Sequence, residues 1–216
     1  MDIELVRTEI KLGDKIVYLD VVDDVEALIT DLADADAVPC WAVVWPSART
    51  LARYIYNNLN LTGKTVLELG SGLGLPGTVC GLCGGQVMFS DYNQDAVDLS
   101  LHNAALNGVK AEGWLGDWRS FSLQQRFDCL ICSDICYDPQ LNPYLLAICH
   151  KNLKAGGEIL ISHQRRQPTY QFVEQLKSEL KLQEIRIDSI EKDEESVYGQ
   201  FFVSIHHLQP AHQPLL

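Results

Sequence analysis

Residues Val66-Leu67-Glu68-Leu69-Gly70-Ser71-Gly72-Leu73-Gly74 form an apolar strand pattern that carries an acid near its end and runs straight into a glycine-rich turn. A second apolar run, Val87-Met88-Phe89-Ser90, ends at Asp91. Together they describe one β-loop-α-β unit. Its first loop lets a ligand approach the backbone closely, and its second strand offers a carboxylate to a ribose. The pattern points to a nucleoside-containing ligand.

Outward from this unit, strands and helices alternate. Strand Thr65 to Leu69 precedes a helix from Pro76 to Cys83, and strand Gln86 to Ser90 precedes a helix from Gln94 to Leu106 that Asn107-Gly108 closes. Lys110 to Leu115, Phe127 to Ser133 and Glu158 to Ser162 read as further strands, with helices over Asn142 to Leu153 and Pro168 to Leu180. Leu182 to Ile190 and Phe201 to Leu208 are strand-like runs around an acidic loop, Glu191 to Glu195, expected to be a solvated turn; the two runs are expected to pair antiparallel at the sheet edge. The expected fold is therefore α/β: a Rossmann-like seven-stranded mixed sheet with helices on both faces.

Ahead of it, Ile3 to Ile10 and Ile16 to Val22 read as a hairpin around Leu12-Gly13-Asp14-Lys15. Asp23 to Ala35 reads as a short helix capped by Asp23 or Asp24, and Pro46-Ser47-Ala48 opens an amphipathic helix. The expected division is an extension over 1–62 packed on a core over 63–208, one structural domain overall, with a disordered tail over 209–216.

Composition bounds the class. With 47% apolar residues in a chain of 216, a soluble globular enzyme is expected. Lys+Arg 17 against Asp+Glu 29 gives a net charge of -12, which opposes broad contact with a nucleic-acid backbone. No run of about 18 apolar residues and no leader pattern occur, so no membrane contact and a cytoplasmic location are expected. The seven cysteines are odd in number and scattered through core elements, which suits reduced thiols; Cys80 and Cys83 lie in a small-residue helix and read as buried apolar groups rather than as metal or redox ligands. No metal site and a monomer are expected.

The glycine loop alone leaves two ligands open, because Gly72-x-Gly74-x-x-Gly77 also fits a nicotinamide dinucleotide. Three features favour S-adenosylmethionine. Glu68 beside the glycines would repel a pyrophosphate but tolerate an ammonium or sulfonium. A substantial extension precedes the first strand. Asp117-Trp118 follows the third strand, where an acid and an aromatic can hydrogen-bond and flank an adenine. The bland alternatives are a tight turn for the glycines, a helix cap for Asp91 and a core aromatic for Trp118.

The stretch from Trp45 to about Arg166 resembles the family-16 group of class I methyltransferases, seven-strand enzymes that include many protein lysine methyltransferases. The likeness rests on Trp45-Pro46, the Val66 to Gly74 run with Leu75-Pro76-Gly77, Ser90-Asp91, Asp117-Trp118 and Ser133-Asp134-Ile135-Cys136-Tyr137. The resemblance implies that Trp45, Glu68, Gly70, Gly72, Gly74, Asp91, Tyr92, Asp117, Trp118 and Ser133 hold S-adenosylmethionine. It places Asp134 and Tyr137, the Asp-x-x-Tyr pair, beside the transferred methyl. It further implies a protein substrate and transfer to nitrogen, most readily of lysine. Asp134 would recognise and aim the amine, while Arg165 and Arg166 lie on the same crevice edge as candidate partners for an acidic substrate or for Asp134. A small-molecule N-methyltransferase and an inactive cofactor-binding regulator stay open as alternatives.

Overall fold

The computed structural model describes residues 4–29, 38–192 and 199–211. A central seven-stranded sheet is built from β3 (Thr65–Leu69), β4 (Gln86–Asp91), β5 (Ala111–Leu115), β6 (Phe127–Ser133), β7 (Leu153–His163), β8 (Leu182–Lys192) and β9 (Gln200–Pro210), in the order β5-β4-β3-β6-β7-β9-β8. β5 to β7 and β3, β4 run parallel, whereas β9 inserts antiparallel between β7 and β8. The mixed sheet and its antiparallel end pair are as the sequence pattern implies.

Alternation along the strands divides the core into two layers, because successive side chains leave a strand on opposite faces. Val66 of β3 packs in one layer with Leu51 and Ile55 of α1 (Pro46–Asn58), Val79 and Cys80 of α2 (Leu75–Leu82) and Ala104 of α3 (Gln94–Leu106). Its neighbour Leu67 packs in the other with Leu145 and Ile148 of α4 (Asn142–Asn152) and Phe172 and Leu176 of α5 (Gln167–Leu180). β3 is buried on both faces from Val66 onward, the reason it reads as an unbroken apolar run apart from Glu68.

The hairpin of β1 (Leu5–Leu12) and β2 (Lys15–Val22) is a separate two-stranded sheet whose Leu12, Val17 and Leu19 join the α1 layer. Asn103 of α3 and Asn107, its C-cap, satisfy its free edge. Asn107 accepts from the Tyr18 N–H at 2.9 Å and donates to the Tyr18 carbonyl at 2.7 Å; Asn103 accepts from the Asp20 N–H at 2.8 Å. Asn103, fully buried, also donates to the Leu73 carbonyl at 3.0 Å and so ties the hairpin to the glycine loop.

Three expectations need correction. In place of a helix over Asp23 to Ala35, the described part holds a single 3-10 turn, Glu26–Leu28, with Asp24 accepting from the Ala27 N–H. No residue of that turn is buried, so packing does not propagate it, and Ile29 is extended; residues 30–37 lie outside the described residues. β7 begins at Leu153 rather than Glu158: Ala155-Gly156-Gly157 is a bulge inside the strand, with Gly156 at φ 79 and the register against β6 shifting between Phe127 and Cys129. Finally, Gln209 and Pro210 belong to β9, paired with Gln183 and Leu182, and Glu191 and Lys192 belong to β8. Pro210 is tolerated because β7 pairing has ended at Leu208 and its missing N–H breaks no second ladder. Residues 193–198 and 212–216 lie outside the described set.

No described helix is long and apolar enough to cross a membrane. All seven cysteines are free thiols.

Candidate functional site

The sheet order reverses at β3, with β4 on one side and β6 on the other, and ligands of open α/β sheets bind outside the carboxyl ends at such a point. There Gly70, Gly72 and Gly74 take φ of 64, 50 and 73, left-handed values that a side chain strains. A Cβ on Gly70 would lie 2.6 Å from Ile135 Cγ2, and one on Gly72 would lie 2.9 Å from the Trp41 carbonyl oxygen. Backbone, not side chains, therefore faces whatever lies over the loop.

Two buried acids hold the loop. Asp91, at the end of β4, accepts from the Gly72 N–H and the Asn93 N–H, each at 3.1 Å; burial pushes its carboxyl up, and these N–H groups pull it back. Glu68 accepts from the Gly77 N–H of α2 at 2.9 Å, and burial drives its carboxyl well above the ordinary range. Glu68 thus also clamps the first turn of α2 to β3.

A cavity of about 220 Å³ opens at this place. Trp45, Glu68, Gly70, Gly72, Gly74, Asp91, Tyr92, Asp117, Trp118, Ser133, Asp134 and Tyr137 all line it, whereas Arg165 and Arg166, the candidate partners on the crevice edge, are not part of its lining. Trp41, Val43, Val44 and Leu141 complete the wall and were not among those candidates. The signal for the first three was the apolar run Trp41 to Trp45 after Pro39, too short for a core element and therefore free to cover a site. Trp45 donates from Nε1 to the Cys40 carbonyl at 2.9 Å, which folds this run back on itself. Asp117 is taken by Arg119, whose backbone N–H and guanidinium both donate to it and hold its carboxyl below the usual range.

S-adenosylmethionine fits these residues. The glycine loop leaves room that a Cβ would fill, the Asp91 carboxylate lines the same wall, and two buried wall atoms, Ser71 Oγ and Trp118 Nε1, have no hydrogen-bond partner among the described residues. Among those residues no group of three His, Cys, Asp or Glu side chains is placed to hold a metal ion.

The other half of the cavity is organised by Asp134, just past β6. Its backbone is left-handed, φ 55, with the N–H donating to the Ser162 carbonyl at 2.8 Å. Oδ2 accepts from Ser47 Oγ of α1 and from Gln164 Nε2 at 3.0 Å; Oδ1 accepts from the Gln164 N–H at 3.3 Å and from Arg166 Nε at 3.1 Å. A carboxylate offers about four lone-pair directions, so all are in use. Ser47 and Gln164 escaped the sequence reading because their partner lies 87 and 30 residues away. Tyr137 stands at the mouth, 51% exposed, with the Arg166 guanidinium 5.7 Å from its ring centre.

A buried histidine pair props the turn that carries Gln164 and Arg166. The Arg166 N–H donates to His163 Nδ1 at 2.8 Å, so the His163 proton sits on Nε2, which donates to His206 Nε2 at 2.8 Å; His206 then donates from Nδ1 to Glu184 at 2.5 Å. Burial, followed by the electrostatic influence of the neighbouring His206, pushes His163 down to about 4, and the ring is neutral at pH 7.

Comparison with known proteins matches residues 21–179 to the model of a family described as lysine methyltransferase. A histidine protein methyltransferase 1 homolog of Dictyostelium discoideum is 30% identical over 137 residues, which cover 60% of this chain and 43% of that protein, so the chain spans less than half of that relative. The human histone-arginine methyltransferase METTL23 is 27% identical over 168 residues, 71% of this chain and 87% of that one. Among solved structures, the N-methyltransferase NodS of Bradyrhizobium japonicum, in complex with S-adenosylhomocysteine, superposes with a TM-score of 0.58 at 15% identity, covering 87% of this chain and 98% of that one, a likeness of fold.

Proposed function

Since the chain belongs to the lysine methyltransferase family, we propose that it transfers a methyl group from S-adenosylmethionine to a side-chain nitrogen of a protein, with lysine as the leading acceptor. The observation that carries this reading is the meeting of the Gly70 to Gly74 loop and the Asp134–Tyr137 pair on one cavity wall. The cofactor supplies an electrophilic methyl on a cationic sulfur, and the chain has only to position a nitrogen lone pair in line with it and keep water out.

Each part of the wall has a share in that task. The glycine loop passes the methionine portion, Asp91 accepts from ribose hydroxyls, and Trp118 with Tyr92 and Trp45 flanks the nucleoside. Trp41, Val43, Val44 and Leu141 exclude water. Tyr137 orients the entering nitrogen through its hydroxyl or its ring face. Asp134 is a fixed hydrogen-bonding base to the acceptor position. Of its two side-chain donors on Oδ2, Ser47 is fully buried whereas Gln164 is half-buried, so an incoming N–H takes the place of the Gln164 amide. Seven free thiols suit a reducing, cytoplasmic setting, with a protein as partner and a monomer as the simplest state.

The test is tritiated-methyl transfer to a heat-treated cell extract, followed by hydrolysis and separation of methylated amino acids. Label in methyl-lysine supports the reading, label only in small molecules moves the enzyme to a metabolite acceptor, and binding of S-adenosylmethionine without any label overturns catalysis. In the same assay Asp134→Ala should lose at least about a hundredfold in rate. Its affinity for S-adenosylhomocysteine should stay within a few-fold of wild type; an equal loss of both would put Asp134 in the cofactor site instead.

A further inference from the structure

Asp134 presents a problem for an amine acceptor. A lysine side chain has an ordinary pKa of about 10.4 and must lose a proton before its lone pair can attack. A bare carboxylate within roughly 4–6 Å would hold the ammonium form and raise that value by about 1–3 units, cutting the reactive fraction about tenfold per unit.

The carboxylate is not bare. Arg166 donates from Nε to Asp134 Oδ1 at 3.1 Å; the Asp134 side chain is 4% exposed and the Arg166 side chain 40%, so the carboxylate is shielded from water while part of the guanidinium reaches it. The guanidinium keeps its charge at any working pH and is braced over the Tyr137 ring. We propose that Arg166 is a positioning residue that cancels the charge of Asp134, so that the acceptor nitrogen meets a hydrogen-bonding carboxylate without a net negative field and enters as the free amine. This rests on the methyl-transfer reading given above.

The remaining groups around Asp134 leave that cancellation in force. α1 contributes the neutral Ser47 hydroxyl, and the end of β7 contributes His163, which is neutral at pH 7. On β6 the Cys132 thiol is pushed well up by its hydrogen bond with the Cys136 thiol and by burial, so it carries no charge. On the segment of Asp134 itself, Asp138 is the one further acid on this edge, and it accepts from the Gln140 N–H at 2.8 Å. Across the cavity Glu68 is pushed toward its neutral form. Of these groups, His163 is the one that the Arg166 charge helps to hold down, with burial the larger cause.

The experiment follows the initial rate of tritiated-methyl transfer to heat-treated extract protein from pH 6 to 10, for wild type, Arg166→Gln, Arg166→Met, Arg166→Lys and Gln164→Leu. S-adenosylhomocysteine binding by calorimetry accompanies each. The rising limb of the rate should move up by about one unit or more in Arg166→Gln and Arg166→Met, a tenfold loss below the limb that shrinks at high pH. Arg166→Lys, which keeps the charge, should leave the limb in place at reduced amplitude. Gln164→Leu removes neutral donors only and should lower the amplitude without moving the limb. A loss by the same factor at every pH in both neutral variants overturns the proposal, as does an equal limb shift in Gln164→Leu. Failure of both neutral variants to bind S-adenosylhomocysteine also overturns it, by reducing Arg166 to a structural support. Absence of label with wild type at every pH is a different failure, that of the methyl-transfer reading itself.

Discussion

Glu68→Gln is expected to make the ligand-free protein more stable at neutral pH. Glu68 is 2% exposed and its one described hydrogen bond is the Gly77 N–H at 2.9 Å, which a glutamine oxygen can also accept. Burial raises its carboxyl well above the ordinary value of 4.5, the Gly77 N–H opposes this, and the Asp91 charge adds to it. The sign is set by proton counting. Well below 4.5 both folded and unfolded chains hold the proton, and Glu68 contributes no pH dependence. Above it the unfolded chain releases the proton while the folded chain keeps it, so stability falls as pH rises, by up to about 1.4 kcal/mol per pH unit, until the folded carboxyl ionises. Glutamine has no proton to lose. The stability advantage of Glu68→Gln over wild type should therefore widen at about that slope above the ordinary carboxyl range. Urea unfolding of both proteins at pH 5, 6 and 7 measures it, with Asp91 common to the two. A difference that stays constant with pH, or a variant less stable throughout, would refute the reasoning. With S-adenosylmethionine bound the advantage should shrink, because a nearby cation favours the ionised form of Glu68 and glutamine cannot ionise.

Three further outcomes follow from the packing. Gly72→Ala must carry a left-handed φ and set a Cβ 2.9 Å from the Trp41 carbonyl oxygen; about 2–4 kcal/mol of stability and most S-adenosylhomocysteine affinity should be lost, read by urea unfolding and calorimetry. Glu158 is held down to about 2, first by His207 and then by Lys64 against the cost of burial. Its stabilisation, about 2 kcal/mol after allowance for solvent screening, is present above the ordinary carboxyl range and lost as pH falls toward 2, so Glu158→Gln should flatten the acid limb of the stability curve. Asn103→Ala strips partners from the Asp20 N–H and the Leu73 carbonyl, at about 2–3 kcal/mol, and hydrogen exchange at Asp20 should accelerate.

What the sequence disclosed and what it withheld divide along a physical line. The strands β3, β4 and β6 and the acids at their ends were legible because a buried parallel strand must be apolar and a tight turn must contain glycine, both local demands. The same locality placed the candidate cofactor residues and the Asp134–Tyr137 pair on one wall. In the described part of the helix expected after Asp23, a single 3-10 turn stands instead, because none of the residues of that turn is buried and packing does not reward their helix propensity. β7 was cut short because Ala155-Gly156-Gly157 has the composition of a turn, while the backbone uses it as a bulge. The partners of Asp134 could not be read at all. Arg166 was only one of two adjacent arginines on the crevice edge; its neighbour Arg165 instead lies 4.8 Å from the Phe202 ring centre.

The two halves of the cavity also differ in how far along the chain their bonds reach. The cofactor half closes over short spans, 9 residues from Glu68 to Gly77 and 19 from Gly72 to Asp91. Asp134 waits for Ser47, 87 residues back, and for Gln164 and Arg166, 30 and 32 residues ahead. Loop-closure entropy grows with span, and short-range contacts form first. The bonds that hold Glu68, Gly72 and Asp91 therefore carry a smaller closure cost than those of Asp134, and the carboxylate facing the acceptor is the part of the wall whose geometry depends on segments brought together from far along the chain.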